Sequence, residues 1–190
     1  MITIVWHRLD LPGHEAAALE GRADGWHLTG AAALVHDGQP ARLDYEIRCD
    51  TGWRTRSAVV TGWIGAAPAE LVLTRDDEDR WRANGLHLPA LDGCQDVDLG
   101  FSPSTNLLPV RRLALAVGDE AAVRAAWVRF PELTLEVLEQ TYRRTAAREY
   151  EYESAGGAFR RTLAVSGAGF VTRYPGLWEA EGLGGDHGPA

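Results

Sequence analysis

The sequence predicts a mostly β, antiparallel fold, a β-barrel or two half-barrels, with one or two short helices. Three observations predict it. Several short runs alternate apolar and polar side chains, glycine and proline punctuate those runs, and few stretches of helical period compete with them. The 190 residues include 21 glycines and 9 prolines and are 45% hydrophobic, enough for one domain with a real core.

The elements follow in chain order. Ile2-Thr3-Ile4-Val5-Trp6 alternates as a first strand. The cleanest alternation lies in residues 41–50, where Leu43, Tyr45, Ile47 and Cys49 point one way and Asp44, Glu46, Arg48 and Asp50 the other, as in a half-buried antiparallel strand. Asp37-Gly38 precedes it as a hairpin turn. Leu71-Val72-Leu73-Thr74, Glu149-Tyr150-Glu151-Tyr152-Glu153 and Leu163-Ala164-Val165 alternate likewise, with Gly156-Gly157 as another turn. Residues 119–128 predict a short helix: Asp119 is an N-cap candidate, Val123, Trp127 and Phe130 fall at helical spacing, and Pro131 stops the run. Residues 132–148 are open. Leu133, Leu135 and Val137 alternate like a strand, the favoured reading, while early glutamates and late arginines suit a helix dipole.

The segment from Tyr45 to Val59 echoes that from Tyr150 to Val165, with Gly52 on Gly157 and, after one insertion, Arg54 on Arg160. Such an echo fits two related sheet halves, about 1–100 and 101–180, within a single domain 1–180, although β-hairpins resemble one another by chance. Residues 181–190 are expected to be a flexible tail.

Charge narrows the function. With 19 basic and 27 acidic residues the formal net charge is -8, which disfavours a nucleic-acid partner. The charge-free run 57–69 is short and broken by glycine and proline, so no membrane span is expected. The first residues lack a basic stretch followed by a secretory apolar run, which points to a cytoplasmic chain. Cys49 and Cys94 have no CxxC context and are expected to be reduced, with at least Cys49 buried. The six histidines show no zinc-site spacing, no G-x-S-x-G elbow or phosphate loop is present, and no cofactor is implied. The 7 Trp, against 5 Tyr and 4 Phe, suggest sugar or lipid contact.

Four segments could carry chemistry. On a strand, Asp96 and Asp98 would share a face, roughly 6 to 7 Å apart. Pairing with Arg111 or Arg112 is the first reading, ligand contact the second, and general acid–base catalysis the third. Thr105 and Asn106, in the turn from Ser102, could hydrogen-bond a head group or simply cap the turn. Trp53, Arg54 and Arg56, and separately Gln140, Tyr142 and Arg143, set arginine beside aromatic rings; such pairs recognise phosphate or sugar hydroxyls, or pack their stems on the rings in solvent.

The run from Asp96-Val97-Asp98-Leu99 through Thr105-Asn106-Leu107-Leu108-Pro109-Val110-Arg111-Arg112-Leu113 resembles the signature of a bacterial glycolipid-binding family of unknown activity. The resemblance extends to Trp6-His7-Arg8-Leu9, Trp53-Arg54-Thr55-Arg56, Ala126-Trp127-Val128-Arg129-Phe130-Pro131, Gln140-Thr141-Tyr142, Tyr150-Glu151-Tyr152-Glu153-Ser154 and Tyr174-Pro175-Gly176-Leu177-Trp178, nearly the whole chain. Many relatives carry Thr where this chain has Ser102, which keeps the hydroxyl. The resemblance implies an antiparallel barrel or half-barrel pair, similar to periplasmic lipoprotein carriers that hold acyl chains in an apolar concavity. The expected partner is therefore a small amphiphile, a glycolipid among the candidates, held with Trp53, Tyr142 and Arg111 near the mouth. An enzyme using Asp96 and Asp98 on a glycolipid or sugar conjugate, and a ligand-free interaction protein forming a homodimer, are the alternatives.

Overall fold

The computed structural model describes residues 1–185. The strands are β1 (Ile2–Arg8), β2 (Gly13–Arg22), β3 (Gly25–His36), β4 (Gln39–Cys49), β5 (Thr55–Ile64), β6 (Ala67–Arg75), β7 (Trp81–Ala83), β8 (Leu86–His87), β9 (Asp96–Leu99), β10 (Glu120–Val128), β11 (Leu135–Ala146), β12 (Glu149–Ser154), β13 (Phe159–Val165), β14 (Val171–Tyr174) and β15 (Trp178–Gly184). A single α-helix, α1 (Leu107–Leu113), follows a 3-10 turn at Ser104–Asn106. All fifteen strands form one sheet in the order β8-β7-β6-β5-β4-β3-β2-β1-β15-β14-β13-β12-β11-β10-β9. Pairing is antiparallel throughout, except that β9 and β10 run parallel.

The predicted mostly β, antiparallel class holds, but the barrel does not close. β1 pairs with β15, and that seam joins two curled halves, β1–β8 and β9–β15. The curl brings distant strands together: Thr55 N donates to Gln95 O at 2.9 Å, and Val97 N to Thr55 Oγ1 at 3.1 Å. Inside lies one apolar core. On β4 the residues Leu43, Tyr45, Ile47 and Cys49 are buried, as their two-residue period requires. Asp37 and Gly38 take φ of 48° and 74°, the left-handed pair that a two-residue hairpin turn needs. Gly30 sits opposite Tyr45, and a Cβ there would lie 2.2 Å from the phenol oxygen, so the ring lies across a residue that must lack a side chain.

Two local expectations are overturned. Residues 120–128 are strand, not helix. β10 pairs with β11 at nine positions, from Glu120 opposite Arg143 to Val128 opposite Leu135, and with β9 on its other edge. Ladder bonds on both edges and burial of Val123, Ala125 and Val128 outweigh a spacing that only resembled a helix. The helix forms instead at Leu107–Leu113, directly after the turn read at 102–106, where none was expected. Pro109 falls in its first turn, where a missing N–H costs nothing, and Ala114 ends it at φ 44°. The open stretch 132–148 resolves in favour of strand, since β11 fills most of it.

Trp53 and Arg54 belong to the β4–β5 loop, with Trp53 at φ 68°, and the strand begins only at Thr55. Both echo segments form antiparallel hairpins, β4–β5 and β12–β13. β15 extends through Gly184, past the expected start of the tail at 181, and residues 186–190 lie outside the described residues. Cys49 and Cys94 are buried and unbonded. No helix among the described residues is long and apolar enough to cross a membrane.

Candidate ligand-binding site

Within the curl of the second half a cavity of about 370 Å³ opens between β9–β15 and the 100–106 segment. Its wall is aromatic: Trp127, Tyr152, Phe159, Tyr174 and Trp178 come from five different strands. Tyr152 meets Phe159 and Tyr174 edge to face, with ring centroids 6.0 and 6.1 Å apart. The strand period explains the set, because Tyr150, Tyr152 and Ser154 alternate inward on β12 while Glu151 and Glu153 point outward.

Asp98 lies in this wall. Among the described residues its carboxylate takes one hydrogen bond, from Gln140 Nε2 to Oδ2 at 2.8 Å, and the same amide contacts Tyr152 Oη at 3.0 Å. Burial pushes the Asp98 pKa up to about 6 against the pull of the Gln140 bond, and the nearby Asp96 charge adds to the rise. The group is therefore ionised at neutral pH with an oxygen left for a ligand. Deeper in, Tyr142 Oη donates to Asn106 Oδ1 at 2.9 Å, and Asn106 Nδ2 to Pro103 O at 3.3 Å. Thr105 Oγ1 accepts from Leu99 N at 3.2 Å. These bonds fasten the 102–106 segment as the cavity's floor.

Three cavity rings are capped by arginines. Arg161 lies 4.5 Å over Phe159, Arg129 5.0 Å over Trp127, and Arg8 5.4 Å over Trp178. Arg161 is held by donating Nε to Pro175 O at 3.1 Å.

Asp96 faces elsewhere. Its carboxylate is bidentate to Arg112, with Nε at 3.0 Å from Oδ1 and Nη2 at 2.5 Å from Oδ2. Burial nevertheless raises the Asp96 pKa, outweighing Arg112. The cavity wall thus holds Asp98 without Asp96, and the two do not form an acid–base pair across it.

A second buried carboxyl lies behind the floor. Glu15 Oε1 accepts from Tyr45 Oη and from Ser102 Oγ, both at 2.6 Å, and Ser104 Oγ lies 2.7 Å from each of those hydroxyls. Burial raises the Glu15 pKa to about 8, so it is neutral at pH 7.

The sequence-derived site residues separate in space. Asp98 and Asn106 line the aromatic cavity, and Gln140 and Tyr142 support it. Trp53, Arg111 and Tyr142 do not share a mouth. Trp53 is sandwiched between Trp26, stacked at 4.2 Å, and Arg111 at 5.0 Å, while Tyr142 is enclosed at Asn106. Arg54 and Arg56 line another depression beside Asp50 and Arg112. Arg143 is exposed, with Glu151 3.7 Å away. Phe159 and Arg161 carry no site signal in the sequence, whereas Trp127, Tyr152, Tyr174 and Trp178 fall in family-like runs and line this cavity.

No curated protein matches the chain. The crystal structure of a DUF1089 family protein from Pseudomonas aeruginosa is 36% identical and superimposes with a TM-score of 0.78, over 87% of this chain and 91% of that one. Residues 3–180 match the family described as "Putative glycolipid-binding". The chain belongs to that glycolipid-binding family.

Proposed function

We propose that this protein binds a glycolipid-like amphiphile and that the cavity around Asp98 receives its hydroxyl-bearing end. The observation that carries the reading is a half-buried carboxylate, with one oxygen that accepts no hydrogen bond among the described residues, set among five aromatic rings. A carboxylate accepts paired O–H donors, and aromatic faces cover the C–H surface of a sugar ring. At about 370 Å³ the cavity lies near the lower end of the range of about 300–1,000 Å³ for small-ligand pockets. It suits one head group or a single chain end better than a two-chain lipid. Arginines lie over Phe159, Trp127 and Trp178, with Arg129 and Arg8 paired to Glu136 and Asp10. The family description points the same way.

The test is a titration of octyl, decyl and dodecyl glucoside below their micelle concentrations, read by the fluorescence of Trp127 and Trp178. Octyl glucoside should bind more tightly than 1-octanol, and Asp98→Asn should weaken the glucoside about tenfold while leaving the alcohol unaffected. Equal affinity for the alcohol and the glucoside, or an unchanged Asp98→Asn variant, would overturn the reading.

A further inference from the structure

A larger open cavity, of about 580 Å³, lies between α1, the β11–β12 turn and the 165–169 loop. Its wall carries Arg111, Arg144 and Arg148 and no carboxylate. Among the described residues none of the three forms an ion pair, in a protein whose net charge is -8.

Two of the three guanidinium groups are nonetheless held in place. Arg144 donates to three backbone carbonyls, Leu115 O at 2.8 Å, Ala146 O at 3.3 Å and Ala147 O at 2.5 Å. Those bonds fix its position while leaving its charge uncancelled and two of its five N–H donors unused. Arg111 runs its stem against Gly169, where a Cβ would lie 3.1 Å from Cδ, and rests its head on Trp53. Gly169 holds φ 101°, so a side chain there is excluded twice over, by backbone and by space. Arg148 has no side-chain partner among the described residues. Ser166 stands in the same wall, and among the described residues its buried hydroxyl oxygen has no hydrogen-bond partner. The arginine field is felt locally: burial raises the Tyr150 phenol pKa, and Arg144 and Arg111 pull against that rise.

The other arginine-lined depression is a useful contrast. There Arg56 already meets Asp50 at 3.2 Å and Asp77 at 2.7 Å, and Arg112 is held by Asp96. Two of its three arginines are thus neutralised within the protein, Arg54 being the exception, whereas among the described residues none of the three in the larger cavity is.

We propose that Arg111, Arg144 and Arg148 form a binding site for a phosphate monoester. Three arginines in one cavity wall offer the forked N–H donors that suit a tetrahedral dianion. Val110, Val165 and Tyr150 offer an apolar wall for the esterified group, and the volume exceeds what an isolated phosphate needs. The site does not depend on the amphiphile reading of the Asp98 cavity.

The soluble arm of the test is calorimetric titration of inorganic phosphate and phenyl phosphate at low and high salt. The lipid arm is flotation with phosphatidylcholine vesicles, with and without phosphatidic acid. Phenyl phosphate should bind, more weakly at high salt, and Arg148→Gln should reduce its affinity about tenfold. Arg148 has no partner to lose, so that variant should fold, and Arg111→Gln should act in the same direction. Arg143→Gln, on the outer face, should bind as wild type does. Binding in the soluble arm alone assigns a free phosphate ester, and flotation that depends on phosphatidic acid assigns a lipid head group. Absence of binding in both arms, or affinities untouched by Arg148→Gln and Arg111→Gln, would overturn the site.

Discussion

The two halves of the sheet share a meander of antiparallel strands but fill their inner faces differently. In β1–β6 the inward residues are mainly aliphatic, among them Ile4, Leu19, Leu28, Leu34, Leu43, Ile47, Val60, Leu71 and Leu73, all buried. In β10–β15 the same inward positions carry Gln140, Tyr142, Tyr150, Tyr152, Phe159, Tyr174 and Trp178. Aliphatic side chains interdigitate to close packing, while large flat rings with polar tips must satisfy those tips and leave gaps between their planes. The difference teaches that the first half is the closely packed body and the second the hollow one, where the proposed glucoside site lies.

That contrast can be broken by substitution. The largest effect is expected in the packed half, where Leu43→Ala, at a fully buried position, should cost about 2–5 kcal/mol in denaturant unfolding and leave glucoside affinity unchanged. Next, Asp96→Asn should cost about 1–3 kcal/mol, because it strands a partly buried Arg112, again with no loss of binding. An Asp96 variant that kept its stability but lost ligand would move function onto that pair. In the hollow half the balance should invert. Tyr152→Phe removes only a hydroxyl at the Gln140 amide, so it should change stability by at most about 1 kcal/mol while weakening glucoside binding several-fold.

Two of the three raised carboxyl pKa values, those of Glu15 and Asp98, sharpen the comparison through pH. The fold favours protonated Glu15 between its ordinary value of 4.5 and about 8, so stability should fall as pH rises through that window. Glu15→Gln should flatten this slope in melting temperatures taken from pH 5 to 9, without altering glucoside affinity at pH 7. Asp98 has the same sign between 3.8 and about 6, but it faces the cavity, so acid should cost ligand instead. Glucoside affinity should drop as pH falls from 7 to 5, and Asp98→Asn should abolish that drop. A slope that survived in the variant would assign the titration to another group.

Much of the architecture was readable along the chain. The β4 alternation named its buried face residue by residue, and the Asp37-Gly38 turn and both buried thiols followed from local chemistry. The family-like runs marked the segments that line the cavity without saying which side chains meet there. The helix was misplaced because α1 and β10 have opposed local signals: Pro109 is read most readily as a breaker, while the spacing of Val123 and Trp127 imitates a helical stripe.

The sequence by itself determined the class of fold and the inward face of the regular strands. Only the tertiary structure decided which arginine caps which ring, that Asp96 turns to Arg112 while Asp98 faces a cavity, and that three other arginines share one cavity wall. The reason is physical. A two-residue period is written in neighbouring positions, whereas cavity partners such as Asp98, Phe159 and Trp178 come from strands that meet only when the sheet curls, and that curl is set by pairing and packing along the whole chain.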